Sequence, residues 1–214
     1  MNSMKIAIAG IHTGIGKTIA SAVIAQALEA DYWKPVQAGL EERDAALLKT
    51  LLTNGEQRVH PEALLLTQPL SPHAAAKIDG ITVDHTTFVW PVTNKTLIVE
   101  TAGGILSPMS DTVTMADFMQ HYKLPAILVS QNYLGSINHT LLSIEVLKSR
   151  KIPIIGIVMS GDTNESSEAY IETYSGVPII ARIPFLKNID AVSVKEIAGN
   201  IKDGLLKYTT HVYH

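Results

Sequence analysis

The sequence predicts an α/β fold in a single domain over residues 1–214, built on a mainly parallel sheet with helices on both faces. Three observations lead there. Short apolar runs alternate with segments of helical period, the sign of strands joined by crossover helices. Most runs are apolar on both faces, as strands buried between two helical layers must be. The first run ends in a glycine-rich turn that opens directly into a helix, Gly10-Ile11-His12-Thr13-Gly14-Ile15-Gly16-Lys17-Thr18.

In chain order, strands are expected at 5–9, 32–36, 96–100, 125–130, 154–159 and 177–183. Gly or Pro borders most of them, as at strand ends. Between them, Ile19, Ala20, Val23, Ile24, Ala27 and Leu28 fall on one helical face, and so do Leu47, Leu48, Leu51 and Leu52. Ile137, Leu141, Ile144 and Leu147 form a third stripe; Val194, Ile197, Ile201 and Leu205 form the last. Residues 54–93 are the least regular part and suit short helices with a loop on the ligand side. No repeat, low-complexity tract or linker divides the chain.

Composition sets limits. With 46% hydrophobic and 17% charged residues, the chain can bury a sizeable core. A net charge of −3 and a pI near 6.2 give no electrostatic reason for a nucleic-acid or anionic-membrane partner. Cysteine is absent, which excludes disulfides and thiolate metal sites. No apolar run approaches the ~20 residues that span a bilayer, and no leader pattern opens the chain, so a cytoplasmic location is expected. Either Met1 or Met4 can serve as the start, with Met1, Asn2 and Ser3 as the surplus.

Ligands in such sheets gather beyond the carboxyl ends of the strands, and the polar residues sit there. The turn after the first strand builds a phosphate cradle. Its glycines let backbone N–H groups converge on phosphate oxygens, and the helix N-terminus adds partial positive charge. Lys17 reaches terminal phosphates, and the Thr18 hydroxyl suits Mg²⁺. Five residues rather than four separate Gly10 from Gly16, so the strict spacing of that motif is not met. His12, isolated in the turn, is assigned no catalytic role.

Toward the end of the second strand, Lys34 precedes Pro35 and the Gly39 turn, which aims a second ammonium at the nucleotide. Asp44 opens the next helix, either as a charge on the helix dipole or as a metal ligand. Glu100 closes an apolar strand and is followed by Thr101, Ala102, Gly103 and Gly104. Thr18, Asp44 and Glu100 together make a hard oxygen donor set for Mg²⁺. Residues 107–112 read as an anion-binding loop or as a helix cap, with Ser110 or Asp111 in that role. Gly135, Ser136, Ile137 and Asn138 open another helix whose free N–H groups suit a carboxylate; capping alone would also account for Ser136. The other histidines (His60, His73, His85, His121, His139, His211 and His214) show no metal-ligand spacing. No Gly-x-Ser-x-Gly turn points to acyl chemistry.

The ordered set of motifs resembles the dethiobiotin synthetase family, a group of P-loop NTPases. That family carries a phosphate loop ending Gly-Lys-Thr, then Lys-Pro-Val, then Val-Glu-x-Ala-Gly-Gly, as this chain does at 16–18, 34–36 and 99–104. Ser71-Pro72-His73, Pro108-Met109-Ser110-Asp111-Thr112, Leu134-Gly135-Ser136-Ile137-Asn138-His139 and Arg182-Ile183-Pro184-Phe185-Leu186 extend the match over nearly the whole chain. The resemblance implies an ATP- and Mg²⁺-dependent ligase of biotin biosynthesis. Its substrates would be 7,8-diaminopelargonate and CO₂, joined through a carbamate and a carbamic–phosphoric anhydride. It implies a homodimer with the substrate site shared across the interface, and neither nucleic acid nor membrane as partner.

By the same resemblance, Lys17 and Lys34 stabilise the carbamate and the transferring phosphoryl group, and Thr18, Asp44 and Glu100 serve the metal. Gly14, Ile15, Gly16, Lys17, Thr18, Ile19, Glu100, Thr101, Ala102, Gly103, Ser160, Ile183, Pro184 and Phe185 would hold the nucleotide. Thr13, Lys34 and Ala38 would touch the substrate, with Gly135, Ser136, Ile137 and Asn138 reaching it across the interface. Four positions depart from the family pattern. Gly14 replaces a frequent acid, Ala38 a hydroxyl residue, Thr101 a glycine and Ser160 the asparagine that reads adenine. The stretch 28–34 is also shorter than usual.

Other readings share the fold. A dimeric ATPase switch of the partition or septum-positioning kind carries an extra lysine early in the loop, where this chain has Ile11, His12 and Thr13. A degenerate nucleotide-binding regulatory domain is opposed by the retention of Lys17, Thr18, Lys34, Asp44 and Glu100. An amide-forming ligase would need room for a glutaminase domain.

Overall fold

The computed structural model describes residues 4–209. Eight strands follow in chain order: β1 (Lys5–Gly10), β2 (Asp31–Trp33), β3 (Val36–Ala38), β4 (Leu64–Leu66), β5 (Leu97–Glu100), β6 (Ala126–Gln131), β7 (Ile154–Ser160) and β8 (Ile179–Ile183). Six form one sheet in the order β2-β5-β1-β6-β7-β8, and every pairing in it is parallel. The helices are α1 (Lys17–Ala27), α2 (Asp44–Leu51), α3 (Gly55–Arg58), α4 (Pro72–Asp79), α5 (Met115–His121), α6 (Ser136–Ser149), α7 (Glu165–Ser175) and α8 (Ala191–Thr209).

The strands are buried because helices cover both faces. Side chains along β1 alternate: Ile6 and Ile8 pack with Ile24 of α1 and Val194 and Leu205 of α8. Ala7 and Ala9 face the other way, with Phe118 of α5 and Ile144 and Leu147 of α6. Each large apolar side chain removed from water here contributes about 1.5–3 kcal/mol. No described helix is long and apolar enough to cross a membrane.

Arg58 holds the far end of α1. It is buried, and its guanidinium donates to the carbonyls of Ala25, Ala30 and Thr53 and to Oε1 of Gln26. The last carbonyls of a helix lack partners within it and carry partial negative charge, so a buried cation is stabilised there.

The structure corrects the expected elements at three places. The strand expected at 32–36 divides in two. Pro35 has no N–H to give to the ladder, so the chain leaves the sheet after Trp33. Its carbonyl instead accepts from Leu64 N–H (2.9 Å), and β3 pairs with β4 as a separate parallel ribbon. The strand expected from Val177 begins at Ile179, after Pro178. The cap of α5 is neither Ser110 nor Asp111 but Thr114, in a reciprocal capping box with Asp117.

Helix α7 lacks the apolar stripe that identifies α1, α2, α6 and α8. Its ends are set by Asn164, which accepts from Ser167 N–H, and by Gly176 at φ 68°. Met1, Asn2, Ser3, His211 and His214 lie outside the described residues.

Candidate active site

The sheet register assembles the site. Trp33 pairs with Val99, so Lys34 and Glu100 leave neighbouring strands side by side. Ile8 pairs with Glu100 on the other flank, which brings the phosphate loop after Gly10 next to them. Asp44 arrives as the first residue of α2. Lys17, Thr18, Lys34, Asp44 and Glu100, drawn from four separate segments, thus meet at the carboxyl edge of the sheet.

Their contacts are polar and close. The Thr18 hydroxyl lies 2.9 Å from Asp44 Oδ1 and 3.0 Å from Glu100 Oε1. Lys34 Nζ forms an ion pair with Asp44 and stands 3.8 Å from Glu100 Oε1. Glu100 is only 1% exposed, a position where a carboxylate persists only with partners. Tyr32 supplies one, donating its hydroxyl to Oε2 at 3.0 Å. Burial, then the charge and hydrogen bond of Glu100, hold the Tyr32 phenol protonated well above its ordinary range.

Lys17 lies beneath the loop, 7% exposed, and donates to the His12 carbonyl at 3.1 Å. Burial lowers its pKa from 10.5 to about 8; Glu100 opposes that fall and Lys34 adds to it.

The glycines of the loop have specific work. A Cβ on Gly10 would stand 2.8 Å from Lys17 Cδ, so glycine is what lets the lysine stem pass. Gly16 caps α1 at φ 84°, and a Cβ there would stand 2.8 Å from Ser160 Oγ. Free N–H groups at this helix start suit phosphate oxygens. Among the described residues no three His, Cys, Asp or Glu side chains gather at one point. Asp44 and Glu100 are instead joined by the Thr18 hydroxyl. An all-oxygen set of this size fits Mg²⁺, which retains waters and phosphate oxygens in its shell.

The remaining expected residues spread along the same edge. Ile15 is 1% exposed, its side chain packed in the core; Gly14 (φ 81°) and Thr13 are exposed. Ile19 and Ala102 are half-buried. The Thr101 hydroxyl is committed to Ile8 O at 3.2 Å, within β1. Gly103 sits at φ 68° above Ser107. Ser160 and Ile183 pair at the ends of β7 and β8, and beyond them Pro184 and Phe185 follow. The Phe185 ring lies over Gly161 and is 62% exposed.

Ala38 lies on β3. Gly135 is the N-cap of α6 at φ 100° and Asn138 is in its first turn. Ser136 is not that cap: its hydroxyl accepts from Tyr133 N–H at 3.3 Å. A cleft of about 430 Å³ runs beside Thr13, walled by Ile105, Leu106, Leu142 and Val146.

Tyr32 and Gln37 belong to the site but were not among the expected residues. Gln37 is buried; its Oε1 accepts from Asp44 N–H (3.4 Å) and its Nε2 donates to Gly39 O (3.1 Å). A buried amide that spans the turn fixes where α2 begins. The available signal was a lone polar residue inside an apolar run.

Residues 4–193 match the family model described as an AAA domain. The chain is 46% identical over 199 residues to an ATP-dependent dethiobiotin synthetase of Christiangramia forsetii, covering 92% of this chain and 96% of that one. It is 47% identical over 180 residues to the same enzyme of Cytophaga hutchinsonii, covering 84% and 87%. Among solved structures, a MinC:MinD cell division complex of Aquifex aeolicus superposes with TM-score 0.56 at 15% identity, over 99% of this chain and 98% of that one. A plasmid partition protein from Borrelia burgdorferi gives TM-score 0.56 at 14% identity, over 97% and 99%. These structural likenesses establish a shared fold.

Proposed function

This chain belongs to the dethiobiotin synthetase family, and from that premise we propose how its residues carry out the synthesis. The reaction closes a ureido ring on 7,8-diaminopelargonate with CO₂ and ATP, giving dethiobiotin, ADP and phosphate. One amine takes up CO₂ as an N-carbamate, and a carbamate oxygen receives the γ-phosphoryl group. The second amine attacks the carbamate carbon, the bond from that carbon to the phosphate oxygen breaks, and the ring closes.

The carrying observation is the convergence of Thr18, Lys34, Asp44 and Glu100 at the lip of the phosphate loop. Such a cluster positions anions and neutralises charge in transit, which is what phosphoryl transfer asks of a protein. Lys17 and Lys34 stabilise the carbamate and the transferring phosphoryl group. Mg²⁺, held by Thr18, Asp44 and Glu100, would neutralise phosphate charge there. The nucleotide rests on residues 14–19 and 100–103, with Ser160, Ile183, Pro184 and Phe185 around the base. Thr13 and Ala38 meet the substrate, and the apolar walls of the adjoining cleft suit its aliphatic chain.

Residues 1–214 act as one domain, in the cytoplasm, as a homodimer. Gly135, Ser136, Ile137 and Asn138 of a second copy bind the substrate carboxylate. Leu134 at that helix start is fully exposed and Leu106 and Leu142 are half-exposed, an apolar surface a second copy would cover.

Purified protein given ATP, Mg²⁺, bicarbonate and the diamine is expected to release phosphate only as ureido product forms. Phosphate release indifferent to the diamine would refute the reading. Lys34→Ala is expected to lower kcat by about 10²–10³. Mixing Lys17→Ala and Asn138→Ala subunits should restore activity, since one intact composite site re-forms; no recovery rules out a shared site.

A further inference from the structure

Glu100 presents its two carboxylate oxygens to different neighbours. Oε1 accepts from Thr18 at 3.0 Å and lies 3.8 Å from Lys34 Nζ; Oε2 accepts from Tyr32 at 3.0 Å. Among the described residues, that phenol is the one hydrogen-bond donor to Oε2. The register explains the reach. Tyr32 pairs with Ile98, and Glu100 lies two residues further along the same strand face, about 6.6 Å away. The ring of Tyr32 is fully buried in the core beneath and spans that offset.

We propose that Tyr32 is a positioning residue for the cation site: by engaging Oε2 it keeps Oε1 of Glu100 turned toward Thr18. The inference rests on the reading of Glu100 as an Mg²⁺ ligand. A buried carboxylate oxygen without a donor turns toward the nearest cation, here the ammonium of Lys34, and Oε1 would swing with it. A neutral phenol satisfies Oε2 and leaves the carboxylate its charge, which an ammonium in the same place would cancel. Donors behind metal ligands act in this way, and removing one weakens metal affinity by about 10–100-fold.

The test is Mn²⁺ binding, followed by the loss of the free-ion electron paramagnetic resonance signal, with a non-hydrolysable ATP analogue present and no turnover. Tyr32→Phe keeps the ring and its packing. It is expected to weaken Mn²⁺ binding about 10–100-fold, and to lower kcat at subsaturating metal with the KM for the diamine unchanged. Glu100→Gln should also weaken Mn²⁺ binding, and adding Tyr32→Phe to it should have no further effect. Wild-type Mn²⁺ affinity in Tyr32→Phe, or full additivity in the double variant, overturns the positioning role while leaving Glu100 as a ligand. Unchanged affinity in Glu100→Gln would instead overturn the metal-site reading itself, and this inference with it.

Discussion

Burial of the Lys17 ammonium costs the folded state stability, and Lys17→Met measures by how much. Methionine keeps the length and apolar stem of lysine without its charge. The fall of the Lys17 pKa from 10.5 to about 8 corresponds to about 3 kcal/mol of differential stability between the charged and neutral forms. The substitution also deletes the hydrogen bond to His12 O, about 1 kcal/mol, so a net gain of about 2 kcal/mol is expected at pH 7. The sign then changes with pH. Because the folded pKa lies below the unfolded one, the native protein sheds this proton first. The wild type therefore gains stability relative to the variant between about pH 8 and 10.5. Near the upper end only the lost hydrogen bond remains, and the variant becomes the less stable of the two. Urea titrations of both proteins without nucleotide, at pH 7 and pH 10.5, read the difference directly. A variant less stable at pH 7, or a gap independent of pH, would refute the reasoning.

Gly16→Ala places a Cβ 2.8 Å from Ser160 Oγ at φ 84°, so it should lose about 1–2 kcal/mol of stability and at least about 10-fold in ATP affinity by calorimetry. Ser160→Ala added to it relieves the contact but not the backbone strain, so affinity should stay low. Arg58→Met strips donors from the carbonyls of Ala25, Ala30 and Thr53 and is expected to cost about 2–4 kcal/mol in urea melts. Its turnover per folded molecule should stay at the wild-type level. Asp117 has its pKa lowered: burial works against the charge, but hydrogen bonds from Thr114 and the contact with Arg150 outweigh it. That contribution is present above the unfolded carboxyl range and lost as pH falls through the lower folded value, so Asp117→Asn should flatten the acid limb of stability against pH.

Much of this molecule is written locally. A buried parallel strand is a short two-faced apolar run, and five of the six expected strands lie within two residues of their observed bounds. The phosphate loop is equally local, because its chemistry is backbone N–H groups, a lysine and a hydroxyl within nine residues. Lys34, Asp44 and Glu100 could be picked out because each stands at the end of an apolar run or the start of a helix. The second strand misled because Tyr32, Trp33 and Val36 read as one run across Lys34 and Pro35, whereas a missing N–H at Pro35 decides where the ladder stops. Helix α7 was silent because it buries few apolar side chains.

Sequence alone determined that strands, helices and a phosphate cradle would form, since periodicity, glycine and proline act over a few residues. The tertiary structure alone decided who meets whom. Tyr32 and Glu100 are 68 positions apart and Thr18 and Glu100 are 82 apart; only the order β2-β5-β1 and its register bring them within 3.0 Å. Strand order follows from how two helical layers bury the sheet as a whole, a property of the packed chain that no single segment encodes.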